Sequence, residues 1–97
     1  MFARVITAEA RTEELSSFLR LARRQLPGAR QLPGFSGYYV LTDPGTGKLM
    51  VISLWETREQ LDAVTAGAGA SGIRDEGISA TGLTDLHLDT YEVTMHA

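Results

Sequence analysis

The stretch LMVISLWETREQL, residues 49–61, decides the fold of this chain. Residues 49–55 are apolar except for Ser53, and apolar side chains on both parities predict a β-strand that is covered on both faces. Thr57 and Gln60 have the spacing of a capping box, in which two side chains satisfy each other's backbone N–H groups, so a helix begins here. Trp55, the only tryptophan, therefore lies where a strand ends and a helix begins. A tryptophan at such a corner either lines a cleft or belongs to the core.

The composition bounds the class of protein. The 97 residues are 43% hydrophobic and 22% charged, as in an ordinary soluble globular protein, and we expect one domain over residues 1–97. A net charge of -3 gives no general attraction to nucleic acid or to anionic membranes, so neither is expected as a partner. The chain has no cysteine, which excludes disulfides and thiolate metal sites. No segment resembles a secretory signal or a membrane span, so a cytoplasmic protein is expected.

The first part of the chain is predicted to be a strand followed by a helix. Residues 2–8 carry apolar side chains on both faces of a strand, and Arg4 shares one parity with Ile6. Thr12 is the expected N-cap of a helix that has an apolar stripe at helical spacing. The stripe consists of Leu15, Phe18, Leu19, Ala22 and Leu26. Pro27 lacks an N–H and disfavours a helical conformation of the preceding residue, so it is expected to end or kink this helix.

A hairpin joins a second strand, Phe35 to Leu41, to the strand that ends at the tryptophan. Asp43-Pro44-Gly45 predicts a type II turn, with proline at its second position and glycine at its third. The register implied by this turn sets Tyr38 opposite Val51, on the same face of the sheet. A slip of one residue would put Tyr39 there instead.

The last third of the chain begins with a run of glycines. Each glycine inside a helix costs about 1 kcal/mol relative to alanine, so the second helix is expected to be long only if packing holds it, and otherwise to break near Gly69 to Gly72. The segment Gly67 to Gly77 is a candidate lid over a binding site. The last strand, Leu86 to Met95, changes the parity of its apolar residues, which predicts a β-bulge near Asp89-Thr90.

The order of these elements is β-α-β-β-α-β. Right-handed crossovers place both helices on one face of a four-stranded antiparallel sheet, which is the ferredoxin-like α+β fold. The other face keeps apolar residues such as Met50, Ile52 and Leu54, and a large exposed apolar face is an association site. A second copy of the same sheet is the simplest cover, so we predict a homodimer formed through the sheet faces.

Three short segments carry a resemblance to a known family. They are Leu32-Pro33-Gly34-Phe35-Ser36-Gly37-Tyr38-Tyr39, the strand end Ser53-Leu54-Trp55-Glu56-Thr57, and the closing Tyr91-Glu92-Val93. Over nearly its whole length the chain resembles the antibiotic biosynthesis monooxygenase family. The resemblance implies a dimeric α+β barrel with a pocket between sheet and helices in each protomer. Members of this family include cofactor-free oxygenases of aromatic polyketides and heme-degrading enzymes.

The resemblance implies catalytic residues and also exposes departures from the family. It places Trp55 in the pocket and makes Arg74, at a similar spacing beyond the tryptophan, the second catalytic residue. Characterised oxygenases carry an asparagine on the same strand face before the tryptophan, where this chain has Val51. The heme-degrading branch supplies a histidine ligand from the second helix, where this chain has Thr65, so heme is not expected.

A mainly apolar cavity is expected at the strand-to-helix corner. Trp55 would pack against the substrate ring, and Arg74 would hold the charge of a bound aromatic anion. The substrate-binding residues expected around them are Phe18, Tyr38, Val51, Ser53 and Leu61.

Other motifs fail in their structural context. Gly67 to Gly72 matches G-x-G-x-x-G, but the dinucleotide fingerprint must follow a strand and open a helix. His87 and His96 have opposite parities, so they cannot share a metal on one strand without a bulge. No heme, flavin, nicotinamide or metal cofactor is therefore expected.

Two functions stay open at this point. One is a cofactor-independent monooxygenase for a small aromatic or polyketide-like substrate, because a bound aromatic anion can itself pass an electron to oxygen. The other is a non-catalytic dimer of the same fold that binds a small apolar ligand, which Val51 in place of the asparagine favours. The polarity of the pocket separates the two.

Overall fold

The computed structural model describes residues 1–66 and 84–97. Within these ranges the elements are, in chain order, β1 (Phe2–Glu9), a 3₁₀ turn (Thr12–Glu14), α1 (Leu15–Arg30), β2 (Phe35–Asp43), β3 (Lys48–Trp55), α2 (Arg58–Ala66) and β4 (Thr84–Glu92). The strands form an antiparallel sheet in the order β2-β3-β1-β4. The predicted ferredoxin-like α+β fold is therefore confirmed.

The core lies between the helices and one face of the sheet. Along β3 the odd-numbered side chains are buried and those of Met50, Ile52 and Leu54, on the other face, are only partly buried. The buried residues that pack together are Ile6, Ala8, Ala10, Leu15, Phe18, Ala22, Leu49 and Val51. This arrangement follows from the strand period of two, which sends alternate residues to opposite faces.

Helix α1 differs from its prediction at both ends. It begins at Leu15, because the 3₁₀ turn Thr12–Glu14 precedes it and takes the place of the predicted N-cap. It also continues through Pro27 to Arg30, so of the two expected outcomes, an end or a kink, Pro27 does not end the helix. Because Pro27 has no N–H, the carbonyl of Arg23, four residues earlier, loses its helical hydrogen bond. Pro27 and Arg23 are both exposed, so this carbonyl faces solvent and water can bond it.

The β2–β3 hairpin does not have the predicted type II turn. The residue with positive φ is Gly47, at +80°, and the Gly47 N–H donates to the Asp43 carbonyl at 2.8 Å. Asp43 then pairs with Lys48 and Tyr38 with Ser53, two positions away from the predicted register, which had paired Tyr38 with Val51. A shift of two residues preserves the face, so Tyr38 still lies on the helix side of the sheet.

Strand β4 is also more regular than predicted. Its pairing with β1 runs without interruption from Glu92 to His87, so the bulge predicted near Asp89-Thr90 is wrong. The irregularity lies instead between Thr7 and Glu9 of β1. Tyr91 consequently stays on the face of the sheet that is turned away from the helices.

The face of the sheet opposite the helices is mainly apolar, and residues 1–66 and 84–97 leave it uncovered. Tyr39, Leu41 and Tyr91 lie on it with 54%, 50% and 55% of their surface exposed. The partly buried side chains of Val5 and Ile52 lie between them. We call this surface the open face.

No helix in the described ranges is both long and apolar enough to cross a bilayer.

Candidate functional site

The strand-to-helix corner has the local structure that the sequence predicts. The Thr57 N–H donates to the Gln60 Oε1 atom at 3.2 Å, and the Gln60 N–H donates to the Thr57 Oγ1 atom at 3.2 Å. The capping box is therefore confirmed, and it begins α2 at Arg58. Trp55 ends β3 directly before it and is 2% exposed.

A bulge at the start of β2 brings a second aromatic ring to this corner. The register with β3 shifts between Phe35 and Gly37, so that Phe35 pairs with Trp55. The two ring centroids are 5.7 Å apart and the rings are nearly perpendicular, at 85°. Edge-to-face contacts of this kind are favourable because the positive edge of one ring meets the negative face of the other. Without the bulge Phe35 would point to the open face.

Between the sheet and the helices at this corner lies a cavity of about 210 Å³. Its described lining comes from β1, β2 and β3, from the C-terminal part of α1 and the loop after it, and from α2. The residues are Arg4, Gln25, Gly28, Ala29, Leu32, Phe35, Tyr38, Ser53, Trp55 and Val64. Most of this surface is apolar, and the exceptions are concentrated on the sheet.

Three polar side chains lie in one row across the sheet beneath the cavity. Tyr38 of β2 pairs with Ser53 of β3, which pairs in turn with Arg4 of β1. The Trp55 Nε1–H donates to the Ser53 Oγ atom at 3.0 Å, so the indole is held in place by a buried hydrogen bond. The row therefore carries one cation and two hydroxyl groups in an otherwise apolar setting.

The electrostatics of this row are set by burial. Arg4 is 5% exposed, and its Nε atom has no hydrogen-bond partner within residues 1–66 and 84–97. Desolvation lowers the pKa of Arg4, and the neighbouring Tyr38 offsets part of this effect. Desolvation raises the pKa of Tyr38, with Arg4 acting in the opposite direction. Tyr38 is thus a neutral phenol at physiological pH.

The structure brings together some of the predicted site residues and separates others. Trp55, Tyr38 and Ser53 line the cavity. Phe18 and Val51 do not belong to its described lining, because they pack in the core cluster farther along the sheet. Leu61 is fully buried and does not line it either. Arg74, the predicted lid Gly67 to Gly77 and the break expected near Gly69 to Gly72 lie outside the described residues.

Arg4 is the main residue that the sequence reasoning missed. Its parity, shared with Ile6 on a strand with apolar residues on both faces, was the available signal that it is buried. The lining from Gln25 to Leu32 was missed for a different reason. Pro27 was expected to end or kink the helix, so the segment after it was not placed in the wall.

A larger groove, of about 500 Å³, lies at one end of the open face. Thr7, Leu41, Met50 and His87 contribute to it from the sheet face turned away from the helices. No aromatic ring lines it within the described ranges. Of its charged side chains, Asp43, Lys48 and Asp85 are exposed to solvent and Glu9 is partly buried. Its position would place it under the predicted partner subunit, so the smaller cavity is the better candidate for a ligand site.

The described residues contain no cluster of three or more side chains suited to hold a metal ion. His87 pairs with Thr7 and lies on the open face, whereas His96 follows the end of β4. Thr65 occupies α2 where the resemblance would need a heme ligand. None of the residues that line the cavity is a histidine.

Fold and cavity together define a class: ferredoxin-like α+β proteins that have a cavity between the sheet and its helices. The family model for antibiotic biosynthesis monooxygenases matches residues 1–72. The chain belongs to this family. The sequence has no match among curated proteins.

Solved structures agree with this assignment at the level of fold. A candidate antibiotic biosynthesis monooxygenase from Deinococcus radiodurans is similar with a TM-score of 0.82 and 21% identity, over 100% of this chain and 96% of that one. A second candidate of the same kind, from Nitrosomonas europaea, has a TM-score of 0.77 and 15% identity over 96% and 89% of the two chains. The heme-degrader MhuD from Mycobacterium tuberculosis, with two hemes bound in its active site, has a TM-score of 0.77 and 18% identity over 100% and 99%.

Proposed function

We propose that this chain is a cofactor-independent monooxygenase that acts on a small aromatic substrate in the cavity between the sheet and the helices. The observation that carries the proposal is the composition of that cavity. Trp55 and Phe35 supply aromatic surface, while Tyr38 and Ser53 supply hydroxyl groups beside it. An apolar pocket with a few convergent polar groups is the usual form of a small-molecule site.

In the proposed reaction the substrate itself supplies the electrons. Loss of a proton from a phenol-like ring gives an anion with carbanion character at a ring C–H carbon ortho or para to the oxygen. This carbon reduces dioxygen and, with return of the proton, forms a C–O bond as a hydroperoxide. Loss of water from the hydroperoxide leaves a carbonyl, so one oxygen atom enters the substrate and the other leaves as water. The protein excludes water, orients the ring and stabilises the anion, which are effects of position and electrostatics.

The size of the cavity favours a substrate with one ring. An apolar cavity of about 150 Å³ is enough to hold benzene. A volume of about 210 Å³ therefore suits a single substituted ring better than a fused polyketide-like system. Trp55 would pack against this ring, and Arg74 remains the predicted second catalytic residue.

We further propose that two copies join through their open faces. The half-exposed side chains of Tyr39, Leu41 and Tyr91 form an apolar surface that a second sheet would bury. Both cavities would remain accessible, because they lie on the helix side of each sheet. A cytoplasmic location and a single domain over residues 1–97 likewise remain predictions.

The alternative is a non-catalytic dimer that binds a small apolar ligand. Val51 favours it, because this side chain is buried in the core and offers no polar atom where the resemblance would place an asparagine. In that case the cavity would enclose a ligand without activating it.

Oxygen uptake separates the two functions. The purified protein, treated with chelator, would be mixed with a panel of single-ring hydroquinones and three-ring anthrones, and oxygen consumption would be compared with autoxidation in the absence of protein. The monooxygenase predicts faster uptake and a product that contains one oxygen atom from dioxygen, detected by mass spectrometry with isotope-labelled dioxygen, with single-ring substrates preferred. Binding of panel members, detected by Trp55 fluorescence, without any uptake above autoxidation would favour the alternative.

A further inference from the structure

Arg4 is a charged side chain in a position that proteins rarely give to a charge. It lies on the helix side of the central strand β1, is 5% exposed and lines the cavity. A buried lysine or carboxyl group can become neutral, but arginine keeps its proton throughout the physiological range. A guanidinium at this position therefore requires a negative partner.

The described part of the chain does not supply that partner. Tyr38 is the neighbour with which Arg4 interacts electrostatically, and it is a neutral phenol at physiological pH. Ser53, which lies between them, is uncharged and already accepts a hydrogen bond from Trp55. No carboxylate in residues 1–66 or 84–97 pairs with Arg4, and its Nε–H makes no hydrogen bond there.

We propose that the negative partner is a ligand, namely a single-ring aromatic carboxylate whose ring contacts Trp55 and Phe35 and whose carboxylate faces Arg4. The planar guanidinium presents its N–H donors in a fork that matches the two oxygens of a carboxylate. The aromatic surface and the cation line one cavity, which is of the size of one substituted ring.

This inference uses the cavity of the proposed function and narrows its substrate class. A neutral apolar molecule would fill the cavity but leave the buried cation without a partner. An aromatic acid would supply the ring contact and the counter-charge together. Arg4 thereby becomes the residue that determines specificity, and the preference for an anion holds whether or not the ligand is oxidised.

Benzoate and benzamide test the preference, because they have nearly the same shape and differ in charge. Binding of each would be followed in the intact protein by the fluorescence of Trp55, the only tryptophan and a residue of the cavity wall. We expect benzoate to bind about tenfold or more tightly than benzamide, which is the size of effect expected for a charge-assisted hydrogen bond. Equal affinities, or no response to benzoate at millimolar concentration, would overturn the proposal.

Three variants assign the preference to Arg4. Arg4→Met keeps much of the side-chain volume without the charge and should bind the two probes equally. Arg4→Lys keeps a positive charge without the fork and should retain a reduced preference for benzoate. Arg23→Met makes the same change in net charge at an exposed position of α1 and should behave as the wild type does. A preference that survives in Arg4→Met would overturn the assignment.

Stability gives a second, independent readout. Arg4→Met removes a buried charge that lacks a partner, so the ligand-free variant should be at least as stable to urea as the wild type. A strong loss of stability would show that a carboxylate of the chain already pairs with Arg4, and would overturn the proposal. These measurements involve no turnover. An anion preference without oxygen uptake would therefore leave this inference standing while the oxygenase proposal fails.

Discussion

Tyr38 and Arg4 lie on either side of Ser53 in one row beneath the cavity. Burial raises the pKa of Tyr38 and lowers the pKa of Arg4, and both shifts favour the neutral form of the side chain. For Tyr38 the pKa is raised from its ordinary value, because desolvation of the phenolate outweighs the attraction of the guanidinium. The folded state consequently holds the Tyr38 proton more tightly than the unfolded chain does.

This difference predicts a loss of stability at alkaline pH. The contribution of Tyr38 is fully present below the unfolded pKa of about 10 and is lost as the pH rises from there through the folded pKa, because the unfolded chain releases the proton first. Urea unfolding measured as a function of pH should therefore show a shallower alkaline decline in Tyr38→Phe than in the wild type. Tyr39→Phe, at a half-exposed side chain of the open face, is the matched control. Identical declines in Tyr38→Phe and the wild type would contradict the prediction.

The hairpin offers a test with two nearby glycines. Gly47 has a φ of +80°, and a Cβ atom there would collide with the backbone carbonyl of Ala10, whose N–H donates to the Gly47 carbonyl at 2.8 Å. We expect Gly47→Ala to cost about 2–3 kcal/mol in the free energy of unfolding, since it combines backbone strain with a clash that no side-chain movement relieves.

Gly45→Ala is the control for this change. A Cβ atom at Gly45 meets only the Asp43 Oδ1 atom, at 3.4 Å, and the residue does not have positive φ. Chemical denaturation should show a change within about 0.5 kcal/mol for Gly45→Ala. The type II turn expected from the sequence would give the opposite ranking, with Gly45 as the sensitive position.

A second close approach links the loop before β2 to the first turn of α2. Gly34 has a φ of +80°, and a Cβ atom there would overlap the side-chain amide of Gln60, the residue that closes the capping box. Gly34→Ala should therefore break the box as well as strain the backbone, for a total of about 2 kcal/mol. Gln60→Ala alone should cost about 1 kcal/mol.

The double variant Gly34→Ala with Gln60→Ala separates the two causes of the cost of Gly34→Ala, which are backbone strain and the clash with the Gln60 side chain. It frees the space around residue 34, so its cost should be smaller than the sum of the single costs by about 1 kcal/mol, because the box can be lost only once. Strict additivity in urea unfolding would show that the two residues do not act on each other.

Local signals were read correctly where only local contacts decide the structure. The capping box was predicted to the atom pair, because Thr57 and Gln60 interact within one helical turn. The turn glycine was predicted wrongly. A hydrogen bond with the distant backbone of Ala10 holds Gly47, rather than Gly45, in the conformation with positive φ. The register error of two residues kept Tyr38 on the correct face, since faces alternate with a period of two.

The composition of the cavity depended on features that the sequence pattern does not encode. The bulge before Gly37 is what turns Phe35 toward Trp55. The continuation of α1 beyond Pro27 is what adds Ala29 to the wall. The parity that Arg4 shares with Ile6 was a signal of its burial, but an arginine on a strand is usually assigned to a solvent-exposed face, so the signal was not used.

The open face predicts a change in oligomeric state. Ile52 lies within it, and an aspartate there would place a charge in the interface between two sheets. Light scattering should find the wild type as a dimer at micromolar concentration and Ile52→Asp as a monomer or an aggregate. Ser16→Asp makes the same change in charge at an exposed position of α1 and should remain dimeric. A stable wild-type monomer would refute the predicted assembly.

Trp55 is the most direct test of whether the cavity is a binding site or a defect in a filled core. The side chain is 2% exposed, contacts Phe35 edge to face and donates to the Ser53 hydroxyl, so it is a packed wall rather than a mobile flap. Trp55→Ala should cost about 3–5 kcal/mol in urea unfolding. Met95→Ala, at a side chain that is 90% exposed, should change stability by no more than about 0.5 kcal/mol.

Stability alone does not separate the two interpretations, because a wall residue and a core residue are both costly to truncate. Ligand response does. If the space beside Trp55 admits a ring, single-ring aromatic compounds should change Trp55 fluorescence in the wild type. They should also raise its melting temperature with the logarithm of ligand concentration once that concentration exceeds the Kd. A large loss in Trp55→Ala together with no fluorescence response to any member of the panel would mean that the indole belongs to a closed core, and the binding site and the oxygenase proposal would both have to be abandoned.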